Sequence, residues 1–248
     1  MIKFFRKIRQ KLLEQNRVSK YLLYAFGEIV LVVIGILIAL QVNNWNEQRI
    51  SSKEEKKIIQ KLHSDFLTNK EIIEKSIQSL LLHKDANTRL MSLIGASKEE
   101  LSKHNLDSLF SSGTGANDVS FADNTFKNLL QTDKLGLLQD DDLLELLYKW
   151  KELSDIRLSR EQKLDNWINN YYLPYMMPKI SFKEMDAYSQ LSWTGKSVVK
   201  PDYYPLFQEV EFENYLDNIL WFNQKLHERS LETQTLIEKI IKATSNYD

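Results

Sequence analysis

The residue types that could carry out catalysis do not form a recognisable motif in this chain. The four histidines are His63, His83, His104 and His227, and none lies in an H-E-x-x-H sequence or another spacing typical of zinc sites. No G-x-S-x-G nucleophile elbow and no Walker phosphate loop occurs. The chain has no cysteine, which excludes disulfides, thiolate metal ligands and cysteine nucleophiles. We therefore predict a protein that is not an enzyme, with no catalytic residue, metal or cofactor.

Glu28 is the one carboxylate that its sequence surroundings set apart. It is the only acidic or basic residue between Tyr21 and Val42, in a run that is otherwise apolar apart from Gln41. A helix of this length spans roughly 33 Å, and the hydrocarbon core of a bilayer is about 30 Å thick. We predict that residues 21–42 form a single transmembrane helix.

Glu28 also shares one helical face with small and polar residues. At 100° per residue the other members lie within about 40° of Glu28; the face comprises Glu28, Gly35, Ala39, Val42 and Asn46. A carboxylate in a membrane is costly unless it is paired or hydrated, and small residues four apart let a second helix approach closely. We predict that this face packs against a partner helix or a second copy of the chain. The alternative is that Glu28 lies near the membrane surface and is hydrated or protonated there.

The charges on the two sides of the apolar run differ. Residues 1–20 contain one acidic residue, Glu14, and seven basic residues: Lys3, Arg6, Lys7, Arg9, Lys11, Arg17 and Lys20. Basic flanks stay in the cytoplasm, so we predict a cytoplasmic N-terminus in an amphipathic segment on the lipid bilayer surface. Residues 43–248 would then be periplasmic.

The composition of residues 43–248 favours helices. This region has 26 basic and 32 acidic side chains, a net charge of −6, which argues against nucleic acid as a partner. The whole chain contains only seven glycines and four prolines, which favours long helices over a strand-rich fold. We predict an all-α fold in which a transmembrane helix continues into a periplasmic helical bundle. Its long antiparallel helices are expected at about 47–94, 140–172 and 209–243.

The first of these helices carries an interrupted heptad pattern. Apolar residues recur along it from Ile59 to Ile94, but Asn69, Ser76, His83 and Asn87 occupy positions in the same seam. This pattern is more typical of a helix in a globular bundle than of a free coiled coil.

Polar residues at helix starts predict the remaining boundaries. Ser97 and Ser181 each precede a glutamate by three residues, as in a capping box, and the second helix is expected to reach about Leu191. Asp140 is expected to cap the helix that follows it, and residues 111–123 are predicted to form a loop.

Aromatic residues are concentrated between positions 148 and 222, which hold 16 of the 27 in the chain. Such clusters are often the core and rim of a helical bundle, but they can also stack on sugars. Trp193, Tyr203 and Tyr204 lie in a turn-rich segment and are the predicted ligand contacts.

Three segments resemble one family. They are Tyr24–Asn46 (YAFGEIVLVVIGILIALQVNNWN), preceded by FFRKIRQKLL; Asn124–Trp150 (NTFKNLLQTDKLGLLQDDDLLELLYKW); and the closing helix, which ends in LIEKIIKA. The sequence resembles a family of uncharacterised single-span proteins from Gram-negative bacteria, catalogued as a domain of unknown function. The resemblance implies an inner-membrane protein with a periplasmic helical domain. It implies no activity and no catalytic residue.

From these features we predict a membrane-anchored scaffold or accessory subunit of an envelope complex. Its protein partner, or a second copy, would bind through the transmembrane helix and the outer helices. The alternatives are a periplasmic ligand or stress sensor and a glycan-binding module.

Overall fold

The chain folds into helices. A computed structural model describes residues 18–115, 119–189 and 195–245, and these residues contain no strand, which confirms the all-α fold class. The α-helices of the described ranges are α1 Val18–Ser92, α2 Lys98–Leu101, α3 Leu106–Gly113, α4 Asn124–Gln131, α5 Asp141–Trp167, α6 Leu173–Met176, α7 Phe182–Met185 and α8 Val210–Thr244. The shorter segments are a π-helical turn at Ile168–Tyr172 and 3₁₀ turns at Lys134–Leu137, Asp186–Tyr188 and Leu206–Gln208.

The chain divides into two units, residues 1–56 and residues 57–248. In the first unit the described residues belong to α1, and the large apolar side chains from Ile29 to Leu40 are exposed; Leu31, for example, is 71% exposed. α1 contains the one stretch in the described residues that is long and apolar enough to cross a membrane, and none of its most apolar window is buried. The predicted apolar helix is therefore confirmed as a candidate membrane span.

The helix bounds follow from the local sequence. No glycine or proline lies between residues 36 and 94, and α1 ends at Ser92, just before Gly95. Gly95 adopts a φ of 75°, a conformation that glycine reaches without strain, and its N–H donates to the Phe207 carbonyl at 2.7 Å. The three predicted N-caps are confirmed by backbone N–H groups donating to Ser97, Asp140 and Ser181.

Some predicted boundaries were wrong. α3 was not predicted, and its last residues, Ser111–Gly113, fall within the expected loop. The segment after Ser181 ends its helical turns at Tyr188 instead of about Leu191. The helix expected at about 140–172 is followed without a break by α6, which ends at Met176, between Pro174 and Pro178. Pro174 has no N–H to donate to a helical hydrogen bond. A π-helical turn precedes it, and in this turn the Leu173 N–H donates to the Ile168 carbonyl.

The second unit contains two large apolar clusters. The first includes Ile59, Phe66, Trp150 and Ile240, so it joins α1, α5 and α8, and the Phe66 and Trp150 rings meet edge to face at 4.9 Å. The second includes Phe110, Tyr172, Phe207 and Phe212, among others. Two side-chain contacts fix the direction of α8: His63 bonds to Thr244 at 2.8 Å, and Lys84 donates to Gln224 at 2.7 Å. α8 therefore runs antiparallel to residues 63–84.

Two of the polar residues that interrupt the heptad seam of α1, Asn69 and Asn87, bind Ala122 and Gly113. Asn69 is fully buried; its side chain donates to the Ala122 carbonyl at 3.0 Å and accepts from the Ala122 N–H at 2.7 Å. Asn87 is also fully buried, and it donates to the carbonyls of His83 at 2.9 Å and Gly113 at 2.8 Å. Because buried amides need hydrogen-bond partners, these asparagines hold Gly113 and Ala122 against α1.

A buried ion pair of α5 contacts a third polar residue of the α1 seam. Arg157 of α5 bonds to Glu161 at 3.1 Å, with side chains 2% and 9% exposed. The same guanidinium donates to Ser76 of α1 at 3.4 Å and lies 5.5 Å from the Phe121 ring centre. Burial lowers the pKa of Arg157, and the negative charge of Glu161 opposes that shift.

The close approach of α3 to Asn87 predicts that Gly113→Ala destabilises the fold. A Cβ atom at position 113 would lie 2.8 Å from Asn87 Oδ1, and the two hydrogen bonds of Asn87 prevent this side chain from yielding. We expect a loss of about 1–3 kcal/mol in the free energy of unfolding, measured by urea denaturation and circular dichroism. Gly136→Ala is the control, because no atom lies within 4 Å of its added Cβ. Equal stabilities of the two variants would contradict the close-packing argument.

The buried ion pair predicts strong coupling between its two members. Glu161→Leu leaves the Arg157 charge buried without its carboxylate, and we expect a loss of about 3–5 kcal/mol in unfolding free energy. Combining Glu161→Leu with Arg157→Met should restore most of the lost unfolding free energy, since apolar replacements of a buried pair are often tolerated. A double-mutant cycle measures this coupling. A double variant as unstable as Glu161→Leu would show that unpaired charge is not the cause.

Candidate ligand-binding pocket

A polar and aromatic concavity lies beside the start of α3. Its volume is about 520 Å³, within the range of small-molecule sites. The lining residues are Lys98, Leu101, Ser102, His104, Asn105, Leu106, Asp107, Tyr188, Asp202, Tyr203 and Tyr204. They come from three parts of the chain: residues 98–107, the 3₁₀ turn that ends at Tyr188, and residues 202–204.

Local capping and backbone bonds position these segments. The Asn105 side chain accepts from the Ser108 N–H at 3.1 Å and so begins α3, whose first turn carries Asp107. The Gln208 side chain donates to the Ala96 carbonyl at 2.9 Å, next to the bond between Gly95 and Phe207. These contacts bring residues 202–204 beside residues 98–107.

Tyr203 is fixed in the wall of the pocket. Its hydroxyl donates to Asp107 Oδ1, and its ring meets Phe110 edge to face at 5.6 Å between centres. Burial raises the pKa of Tyr203, and the hydrogen bond to Asp107 raises it further, so the phenol stays protonated. Across the pocket, Asn105 Nδ2 donates to the Tyr188 hydroxyl at 2.8 Å.

A salt bridge lies at the mouth of the pocket. Lys98 Nζ is 2.7 Å from Asp202 Oδ2 and 5.2 Å from the centre of the Tyr204 ring. Asp202 Oδ1 accepts from the Tyr204 N–H at 3.1 Å. The hydrogen bond from Lys98 lowers the pKa of Asp202, with a smaller contribution from the Tyr204 N–H. Both charged side chains are more than half exposed, so solvent screens the pair.

The groups around the pocket can bind a ligand through aromatic faces, hydroxyls and charges. His104 Nε2 lies 3.3 Å from Glu100 Oε1, and both side chains are exposed. No group of three or more His, Asp or Glu residues within the described ranges is placed to hold a metal ion. The aromatic faces, hydroxyls and charged groups around the pocket are therefore suited to binding a small ligand.

One catalytic spacing does occur in the sequence, contrary to the expectation that none is present. Ser197 and Lys200 have the S-x-x-K spacing found in class A β-lactamases. Residues 195–200 are not helical here, and the Ser197 hydroxyl donates to the Val199 carbonyl at 2.8 Å. Because of this bond, the Ser197 hydroxyl points to the backbone and not to the Lys200 amine.

Two of the three predicted ligand contacts, Tyr203 and Tyr204, line this pocket together. Trp193 lies outside the described residues. Sequence reasoning missed Lys98, Asp107 and Asp202. The signal that could have identified the site is Asn105, which is followed three residues later by Ser108 and caps a helix that was not predicted.

The predicted packing face lies on the exposed part of α1. A Cβ atom at Gly35 would meet no atom within 4 Å, and Val42 is 60% exposed. Ala39 is also exposed, Glu28 is half-exposed, and Asn46 accepts a hydrogen bond from Arg49 at 3.2 Å. This face stays a prediction. The basic membrane-surface residues Lys3, Arg6, Lys7, Arg9, Lys11 and Arg17 lie outside the described residues, and Lys20 lies in α1.

Comparison with known proteins gives one family match. Residues 28–125 match a family of unknown function (DUF6090). The matched range contains Lys98, Asn105 and Asp107 of the pocket, whereas Tyr188 and residues 202–204 lie beyond it. No curated protein and no solved structure matches the chain. The match supports an uncharacterised family and carries no activity.

Proposed function

We propose that the protein is a non-enzymatic scaffold or accessory subunit of a bacterial envelope complex. In this proposal residues 21–42 cross the inner membrane once, residues 1–20 lie on its cytoplasmic surface, and residues 43–248 form a periplasmic helical bundle. The observation that supports it most directly is the apolar surface of α1. The ten large apolar side chains between Ile29 and Leu40 are exposed in the folded chain. Surface of this size requires lipid or another protein to cover it.

The packing face gives the scaffold its point of attachment. Gly35 and Ala39 are four residues apart and open to approach, which suits close contact with a second helix. Glu28 lies on the same face, where a carboxylate in a bilayer is tolerated when it is paired or hydrated.

The second candidate function is ligand binding in the periplasm, as a sensor or as a glycan-binding module. The observation that favours it is the convergence of Tyr188, Tyr203 and Tyr204 on one pocket of about 520 Å³. Aromatic rings beside hydrogen-bonding side chains can hold a small polar ligand.

The proposed topology predicts the behaviour of reporter fusions. Alkaline phosphatase fused after Asp248 should be active, because the enzyme requires the periplasm, and green fluorescent protein at the same position should be dark when exported through the general secretory route. Alkaline phosphatase fused after Lys20, before the span, is the matched control and should be inactive. Fluorescence together with an inactive phosphatase at the C-terminus would overturn the topology.

The scaffold proposal predicts that crosslinking follows one face of the span. Because the chain has no cysteine, each introduced cysteine is a unique attachment point for a maleimide benzophenone. Photocrosslinking in membranes should be strong from Gly35→Cys and Ala39→Cys and weak from Val33→Cys and Leu37→Cys on the opposite face. Mass spectrometry of the adducts distinguishes a partner protein from a second copy. Equal yields around the helix would exclude a specific packing face.

A further inference from the structure

We propose that the pocket beside α3 binds a small ligand through an ammonium group, at the position now occupied by the ammonium of Lys98. The proposal rests on the second candidate function, ligand binding at this pocket. It adds the chemical class of the ligand and a competing side chain within the protein.

The position of Lys98 shows what this end of the pocket accommodates. Its ammonium lies between a carboxylate, Asp202 Oδ2 at 2.7 Å, and the Tyr204 ring, whose centre is 5.2 Å away. A carboxylate and an aromatic face are two groups that proteins use to recognise ammonium ions. An amine of a ligand can therefore make the same two contacts.

The two recognition groups are held together before any ligand arrives. The Tyr204 N–H donates to Asp202 Oδ1 at 3.1 Å, so the backbone next to the ring orients the carboxylate. The following residues, Leu206 and Phe207, are buried in the second apolar cluster and anchor this segment. Such preorganisation reduces the entropy lost on binding.

The charges around the pocket select against anions. The lining contains two carboxylates, Asp107 and Asp202, and Lys98 is the only lysine or arginine among the lining residues that the structure describes. Glu100, a carboxylate next to the pocket, pairs with Lys103 at 2.8 Å as well as with His104, so its charge is balanced. When Lys98 moves away, acidic and aromatic groups remain.

Lys98 can be displaced because its contacts are exposed. Its side chain is 66% exposed, and that of Asp202 is 58% exposed. Exposed ion pairs change equilibria by about fivefold or less. Lys98 is thus a weak tethered competitor, and its removal should tighten binding of an amine. A neutral sugar would instead lose a hydrogen-bond donor when Lys98 is removed, so the two ligand classes predict opposite effects.

The test measures binding of defined probes to the full chain in a polyoxyethylene detergent, which contains neither sugar nor ammonium groups. Dissociation constants are obtained by ligand-observed NMR for butylamine, glucosamine, butanol and cellobiose. We expect both amines to bind and the neutral probes to bind more weakly. Lys98→Met should tighten amine binding by up to about fivefold. Asp202→Asn and Tyr204→Leu should each weaken it by about threefold.

Lys151→Met is the matched control. Lys151 is also an exposed lysine, pairs with Asp155 at 2.7 Å and does not line the pocket, so this variant makes the same change in net charge. Its amine affinity should equal that of the wild type. Glucosamine binding more tightly than butylamine would identify an amino sugar as the source of the ammonium, and the reverse order would identify an alkylamine; both orders support the proposal.

Three results would overturn the proposal. Cellobiose binding that weakens in Lys98→Met would show a neutral saccharide site, so that the pocket function stands and the ammonium class fails. Amine binding that Asp202→Asn and Lys98→Met leave unchanged would place the amine elsewhere. Binding of no probe to the wild type or to Lys98→Met would overturn the ammonium class and remove the support for the pocket as a binding site.

Discussion

The requirement that buried amides and charges find partners determines the arrangement of the second unit. Asn69, Ser76 and Asn87 lie in a seam of α1 that is mostly apolar, and all three are buried. Each binds a different segment: Ala122, Arg157 of α5, and Gly113 at the end of α3. An apolar seam alone would bury comparable surface but would permit sliding. The directional bonds select one register.

The candidate pocket depends on this register. Asn87 binds the carbonyl of Gly113, the last residue of α3, while Asn105 and Asp107 at the other end of α3 line the pocket. Phe110, between these ends, packs against Tyr203, Phe207 and Phe212. A polar contact in the interior of α1 therefore helps to place the ligand-binding groups. The close approach at Gly113 is possible because glycine has no Cβ there.

The two proposed functional surfaces have different physical character. The exposed apolar stretch of α1 favours association with lipid and a second helix, where close packing of Gly35 and Ala39 matters. The pocket combines three tyrosines with exposed charges and favours a small polar ligand. A membrane-anchored scaffold and a ligand sensor each use one of these surfaces. The amine proposed for the pocket is compatible with either role.

The sequence by itself determined the helical class, the approximate bounds of the long helices, the caps at Ser97, Asp140 and Ser181, and the apolar run in α1. These features are local, because they depend on the spacing of apolar residues, on capping side chains and on the absence of glycine and proline from residues 36–94. The sequence also identified Tyr203 and Tyr204 as candidate ligand contacts, because they are aromatic residues in a turn-rich segment.

Only the tertiary structure decided which groups meet. Lys98 and Asp202 are about one hundred residues apart in the chain, and their pairing depends on the bonds from Gly95 to Phe207 and from Gln208 to Ala96. The polar seam was visible as an interruption in the heptad pattern, but its partners were not. A hydrogen bond between distant segments has no periodic or local signature, because its donor and acceptor become neighbours only when the core between them has formed.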